Sequence, residues 1–172
     1  MKLNKKYKIE LAAADKSDYR YKLQEIEFDG ERLIATNGHI LAIVPVEKGE
    51  TDTPGGISPD VIKTARSITK KTDTIELELN GVAKLSNGVI MPRQSKDGTY
   101  PNWKVISDNF VSSGHKIAFN VNLLKKLADA ITQDGCVILD LPETNLEAIK
   151  VTSNNNKDNG TYGYIMQVRM NE

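Results

Sequence analysis

One cysteine, one tryptophan and three phenylalanines stand in 172 residues. A lone cysteine cannot close an intramolecular disulfide or build a multi-cysteine zinc site. Cys136 lies in the apolar run Gly135-Cys136-Val137-Ile138-Leu139, which predicts a buried structural thiol. An excess of either charge is also missing, with 23 Lys plus Arg against 23 Asp plus Glu. That balance excludes a bulk-basic coat for nucleic acid and an acidic tail, but leaves room for a local basic face. No apolar run approaches the roughly 18 residues of a membrane span. Residues Met1 to Lys8 carry charge with no apolar core behind them, so no secretory signal and no membrane contact are expected. The expected location is the cytoplasm. G-x-S-x-G, H-E-x-x-H, P-loop and G-x-G-x-x-G patterns are absent, and the carboxylates are dispersed. Cys136, His39 and His115 remain as nucleophile or base candidates. An enzyme using Cys136 and His39 is one alternative, but no catalytic role, metal or cofactor is expected.

What is present reads mostly as strand. Apolar residues make up 39% and charged residues 27%, which suits a globular chain. A chain of this length buries roughly 70% of its unfolded surface without staples. Alternation at 21–28 and 74–79, and short segments set off by turn signals at 32–36, 40–46, 82–85, 89–91, 136–141, 148–152 and 162–170, predict strands. Asn37-Gly38, Asn80-Gly81 and Asn87-Gly88 mark tight turns between them. The stretch 154–160 predicts an exposed loop.

Two helices interrupt the strands. Ser58 is a good N-cap with Pro59 at the first helical position, and the helix is expected over 58–71. Val61, Ile62, Ala65 and Ile68 fall in a stripe about 120° wide, and Lys63, Arg66 and Lys70 in an opposite stripe about 60° wide. The second helix, expected over 120–133, has Asn120 as N-cap and Gly135 beyond its end. Leu123, Leu124, Leu127 and Ile131 form its apolar face, with Lys125 and Lys126 off it. For an arbitrary helix, either basic face reads first as solvated surface.

A weak repeat runs through the chain. Residues 56–107 and 115–170 each read as a short strand, a helix and a meander. Residues 5–47 read as the same unit with its helix trimmed, Ala12 to Lys16 being the one helical remnant. Three such units in one compact 1–172 body fit the logic of repeats that cannot bury their own faces.

The sequence resembles the bacterial sliding clamp, the beta subunit of DNA polymerase III. Leu33-Ile34-Ala35-Thr36-Asn37-Gly38-His39-Ile40-Leu41-Ala42 is similar to that family's V-A-T-D-G-H-R-L-A segment. Asp97-Gly98-Thr99-Tyr100-Pro101-Asn102-Trp103 is similar to its D-G-R-F-P-D-Y segment. The run from Phe119-Asn120-Val121 to Tyr164-Ile165-Met166-Gln167-Val168-Arg169-Met170 is similar to its final unit. The resemblance implies an α+β, DNA-clamp-like fold of antiparallel sheets, with two amphipathic helices packed on one side and on each other. It covers a shortened middle domain plus the last half-domain, which would suit a phage or mobile element. Met166, Val168 and Met170 are expected on one face of the last strand.

The resemblance also implies sites. An apolar pocket for partner peptides would involve Thr36, Gly38, His39, Ile40, Leu41, Pro101, Ile106, Tyr164, Ile165, Met166, Val168, Arg169 and Met170. Ile40 stands where the family has Arg, and Gln167 where it has Pro. Lys63, Arg66, Lys70, Lys125 and Lys126 would face double-stranded DNA, weakly and without sequence readout. The implied partners are polymerase or clamp-loader proteins, and the implied role is a processivity factor for DNA replication, open to homo-oligomer formation. The alternative is a clamp-like adaptor or decoy that binds partner proteins without encircling DNA.

Overall fold

The computed structural model describes residues 1–69, 73–93, 97–114, 116–144, 147–155 and 160–169. The chain divides into two compact units, residues 1–109 and 110–172. The division falls in the gap between the second and third expected repeats.

Unit 1 holds two four-stranded antiparallel sheets. One has the order β4-β3-β2-β5, from β2 (Ile26–Phe28), β3 (Arg32–Thr36), β4 (Leu41–Pro45) and β5 (Gly55–Ile57). The other has the order β1-β6-β7-β8, from β1 (Lys2–Asn4), β6 (Thr74–Asn80), β7 (Val82–Leu85) and β8 (Ile90–Pro92). Helix α1 (Pro59–Ile68) packs on β6 through Val61, Ile62 and Ala65, all buried. One core runs through both sheets and the helix, centred on Ile26, Phe28, Leu33, Ile57, Ile62, Ile75 and Leu79. The β6 pattern is strictly alternate: Ile75, Leu77 and Leu79 are buried while their neighbours are exposed. Unit 1 ends in the short helix α2 (Lys104–Asp108).

Unit 2 is a three-stranded antiparallel sheet, β11-β10-β9, with one helix. Its elements are α3 (Val121–Ile131), β9 (Val137–Asp140), β10 (Ile149–Ser153) and β11 (Tyr162–Ile165). Ile149, Val151 and Ile165 form its buried centre, against Leu124, Leu127 and Ile131 of α3. Gly163 permits the close approach: a Cβ there would lie 2.6 Å from Leu127 Cδ1.

The α+β clamp-like architecture of antiparallel sheets with few helices is as expected. Several local expectations are corrected. Residues Tyr21–Gln24 form a 3-10 turn, not the first half of a strand. Four successive residues, Leu23 to Ile26, are buried there, which a period of two cannot supply. Gln24 is tolerated inside because its amide donates to the carbonyls of Lys16 and Asp18 at 3.2 and 2.6 Å. The helical remnant is a 3-10 turn at Ile9–Ala12, earlier than expected. Helix α1 ends at Ile68 and α3 at Ile131, because Thr69 and Thr132 leave helical geometry. No strand precedes α3 among the described residues, although Val168 donates to the Ala118 carbonyl at 2.8 Å. The last strand stops at Ile165, so Met166 and Val168 lie beyond it. Cys136 is exposed: it sits in the turn before β9, with its amide bonded to Asp134 Oδ1 at 2.9 Å. The loop expected at 154–160 lies mostly outside the described residues. Among the described residues, no helix is long and apolar enough to cross a membrane.

Candidate partner-binding surfaces

Thr36, Gly38, His39, Ile40 and Leu41 form the connection between β3 and β4, closed by the Thr36–Leu41 pair. Its shape is fixed by its own side chains. Asn37 Oδ1 accepts from the His39 and Ile40 amides at 3.0 and 3.1 Å. Thr36 Oγ1 accepts from the Gly38 amide at 3.0 Å and donates to the Ile40 carbonyl at 2.6 Å. Gly38 has φ +87, a region that favours glycine. His39 and Ile40 are left exposed.

Arg20 joins this turn to the second segment. Its Nη2 donates to the Asn37 carbonyl at 3.0 Å, and its fork grips Asp18 through Nε and Nη2 at 3.0 and 2.7 Å. The side-chain hydrogen bonds from Arg20, aided by its backbone amide, hold the Asp18 carboxyl down at about 2. Pro101 shares an open groove of about 370 Å³ with Tyr19, Arg20, Tyr21, Lys22, Leu23, Asp97 and Thr99. Tyr100 anchors that segment from behind, donating to the Ile34 carbonyl at 3.2 Å. Burial, with Glu27 nearby, pushes the Tyr100 hydroxyl above its ordinary range. The β3–β4 turn and the Pro101 segment are therefore held against one scaffold, residues 18–23. Ile106 stands on α2, exposed.

In unit 2, Tyr164 and Ile165 close β11; Ile165 is buried and Tyr164 exposed. Met166, Val168 and Arg169 follow, all exposed. Gln167 crosses back, its amide donating to the Thr144 and Glu147 carbonyls at 3.1 and 2.9 Å. Met170, Lys70 and His115 lie outside the described residues. Among those described, no group of three His, Cys, Asp or Glu side chains could hold a metal ion.

The cationic residues differ sharply. Arg66 is turned inward, its side chain 15% exposed, with Nη2 at 2.7 Å from Glu10 and 2.6 Å from the Tyr7 carbonyl. Lys125 pairs with Asp129 one turn along α3, at 3.1 Å. Lys63 and Lys126 are exposed, and no carboxylate among the described residues pairs with them.

No family model and no curated protein matches the chain. Solved structures do. The DNA polymerase sliding clamp of Pseudomonas aeruginosa superposes with a TM-score of 0.66 at 15% identity, over 97% of this chain and 50% of that one. The chain has the sliding-clamp fold. The DNA polymerase III beta chain of Streptococcus pneumoniae superposes with a TM-score of 0.62 at 19% identity, over 98% and 49%. The beta sliding clamp of C. crescentus gives 0.66 at 18% identity, over 97% and 50%. The chain thus spans about half the length of the clamps it matches, as a shortened clamp-like form.

The sequence reading did not single out the groove wall formed by Tyr19, Arg20, Tyr21 and Leu23. A signal was present: in Asp18-Tyr19-Arg20-Tyr21 an acid and a base alternate with two tyrosines, two residues ahead of the apolar Leu23. Tyr21 to Leu23 fall instead within the alternation that predicts a strand over 21–28.

Proposed function

We propose that this chain is a sliding-clamp-like, non-enzymatic DNA replication factor that takes short peptides from polymerase- or loader-type partners. The observation that carries the reading is the common scaffold in unit 1. Arg20 braces the β3–β4 turn and also lines the groove beside Pro101, so two sequence-distant segments present one apolar-edged surface. The exposed stretch Tyr164, Met166 and Val168 of unit 2 is the second peptide-contacting surface, with Met166 adaptable in packing. A labelled peptide with Gln followed by a Leu-Phe tail is expected to bind at micromolar strength by fluorescence anisotropy. Leu41→Glu and Met166→Glu are each expected to abolish binding with an unchanged far-UV CD spectrum. Equal binding by wild type and both variants overturns the assignment.

Contact with double-stranded DNA is proposed to be weak and confined to backbone phosphates, with Lys63 and Lys126 the best placed of the five cations. The inward turn of Arg66 favours a second reading, an adaptor or decoy that binds partner proteins without encircling DNA. Solution mass separates the two first, since a strict monomer at high concentration excludes a self-assembled ring. Retention on circular but not linearised DNA would establish encirclement.

A further inference from the structure

The outer face of the unit 2 sheet carries chemistry that the residues assigned so far leave unused. Ile149, Val151 and Ile165 are buried on the α3 side, so the alternate residues point away. Strand register sets two rows across that face. Tyr164, Lys150 and Asp140 form one row, and Tyr162, Thr152 and Ile138 the next. Tyr162 and Tyr164 are 58% and 61% exposed. Their rings meet edge to face, with centroids 5.9 Å apart at 87°. The Lys150 ammonium lies 5.4 Å from the Tyr162 ring centroid. Among the described residues no carboxylate comes within 4.0 Å of it, although Asp140 stands opposite in the ladder.

A Lys ammonium drawn toward an aromatic face still offers charged N–H donors, which a carboxylate meets with a charge-assisted hydrogen bond. The two tyrosines beside it give broad contact area with few rotatable bonds, which suits a protein partner. A nucleic-acid strand would need a basic track along the face. Here a polyanion laid along the Lys150 row would meet Asp140, whereas a single carboxylate on the tyrosine side would not.

We infer that Lys150 and Tyr162 extend the partner surface at Tyr164 and select peptides with an acidic residue beside their apolar tail. The inference rests on the peptide-binding reading, because Tyr164 belongs to the surface proposed there. Three peptides with the same apolar tail, flanked by Glu, Gln or Lys, test it by anisotropy. Wild type is expected to prefer the Glu peptide over the Lys peptide by roughly tenfold, the scale of one charge-assisted contact. Lys150→Glu should reverse the order, Lys150→Ala should erase it, and Tyr162→Ala should weaken all three. Equal affinity of wild type for the three peptides, or an unchanged order in both Lys150 variants, overturns the inference and leaves the peptide reading standing. Failure of all three to bind wild type removes the reading and the inference with it. Displacement of the Glu peptide by oligo-dT, lost in Lys150→Ala, would assign the face to single-stranded nucleic acid and overturn it as well. Far-UV CD of each variant confirms that it is folded.

Discussion

At the scale of single residues, Asp52 is the most exacting position. Its carboxylate lies 2.5 Å from the Met1 amino group, and neither is more than 1% exposed. It also accepts from the Gly49 and Leu79 amides at 2.6 and 2.7 Å. Asp52→Asn leaves a buried cation without its counter-charge, and is expected to cost about 3–5 kcal/mol in urea unfolding. Burial alone would raise the Asp52 carboxyl. The hydrogen bonds from Met1, Leu79 and Gly49 outweigh it and hold the group below its ordinary 3.8. Asp18 is depressed too, to about 2, mainly by its side-chain bonds to Arg20. A depressed carboxyl stabilises the fold fully above its unfolded pKa and loses that contribution as pH falls through its folded pKa. Stability should therefore decline between about pH 4 and pH 2, with a shallower decline in Asp52→Asn. Gly38→Ala is a second test. A Cβ there would collide with Arg20 Nη1, and φ is +87. The conformation costs roughly 1–2 kcal/mol, and the displaced guanidinium should loosen the groove, measurable as weaker peptide binding.

At the scale of elements, the helices were legible because their start signals are local. Ser58 Oγ accepts from the Asp60 amide at 3.3 Å, and Asn120 Oδ1 from the Asn122 amide at 2.9 Å. Ser58→Ala should cost about 1 kcal/mol in thermal unfolding, as the loss of an N-cap does elsewhere. The turn glycines, the alternating strand β6 and the short apolar run of β3 were legible for the same reason. Most of what escaped depends on partners outside the local apolar pattern. Residues 21–24 alternate like a strand, but Gln24 finds carbonyls at Lys16 and Asp18 and the chain coils. Cys136 sits among apolar neighbours, yet the Asp134 side chain turns the backbone outward just before the strand begins. Arg93 gave no signal at all. It donates to the Gly55, Gly56 and Leu79 carbonyls at 2.9, 3.2 and 3.0 Å, tying the end of β8 to β5 and β6. Arg93→Met should cost roughly 1–3 kcal/mol by removing three charge-assisted bonds, read as a lower urea midpoint, although the Leu79 carbonyl keeps the Thr53 amide at 2.8 Å. The candidate surface was half legible: the β3–β4 turn and Pro101 lie in segments the resemblance picks out, but their brace, Arg20, does not.

At the scale of the whole molecule, the chain has two separate cores of unequal size. Unit 1 buries one continuous cluster across two sheets and a helix, whereas unit 2 has three buried apolar residues at its centre. Small cores give marginal stability, so calorimetry is expected to resolve two transitions, with unit 2 the lower. Ile149→Ala, at a fully buried site, should move the lower transition by an amount equivalent to about 2–5 kcal/mol and leave the upper one in place. Overall charge is also a property of this scale, and the pairing of Arg66 with Glu10 alters what it means. A cation folded inward releases no counterions when a polyanion approaches. If DNA is touched through α1, Lys63→Ala should flatten the dependence of log affinity on log salt by a slope of about one. Arg66→Ala should leave that slope where it was, so the charge that DNA can sense is smaller than the charge the sequence counts.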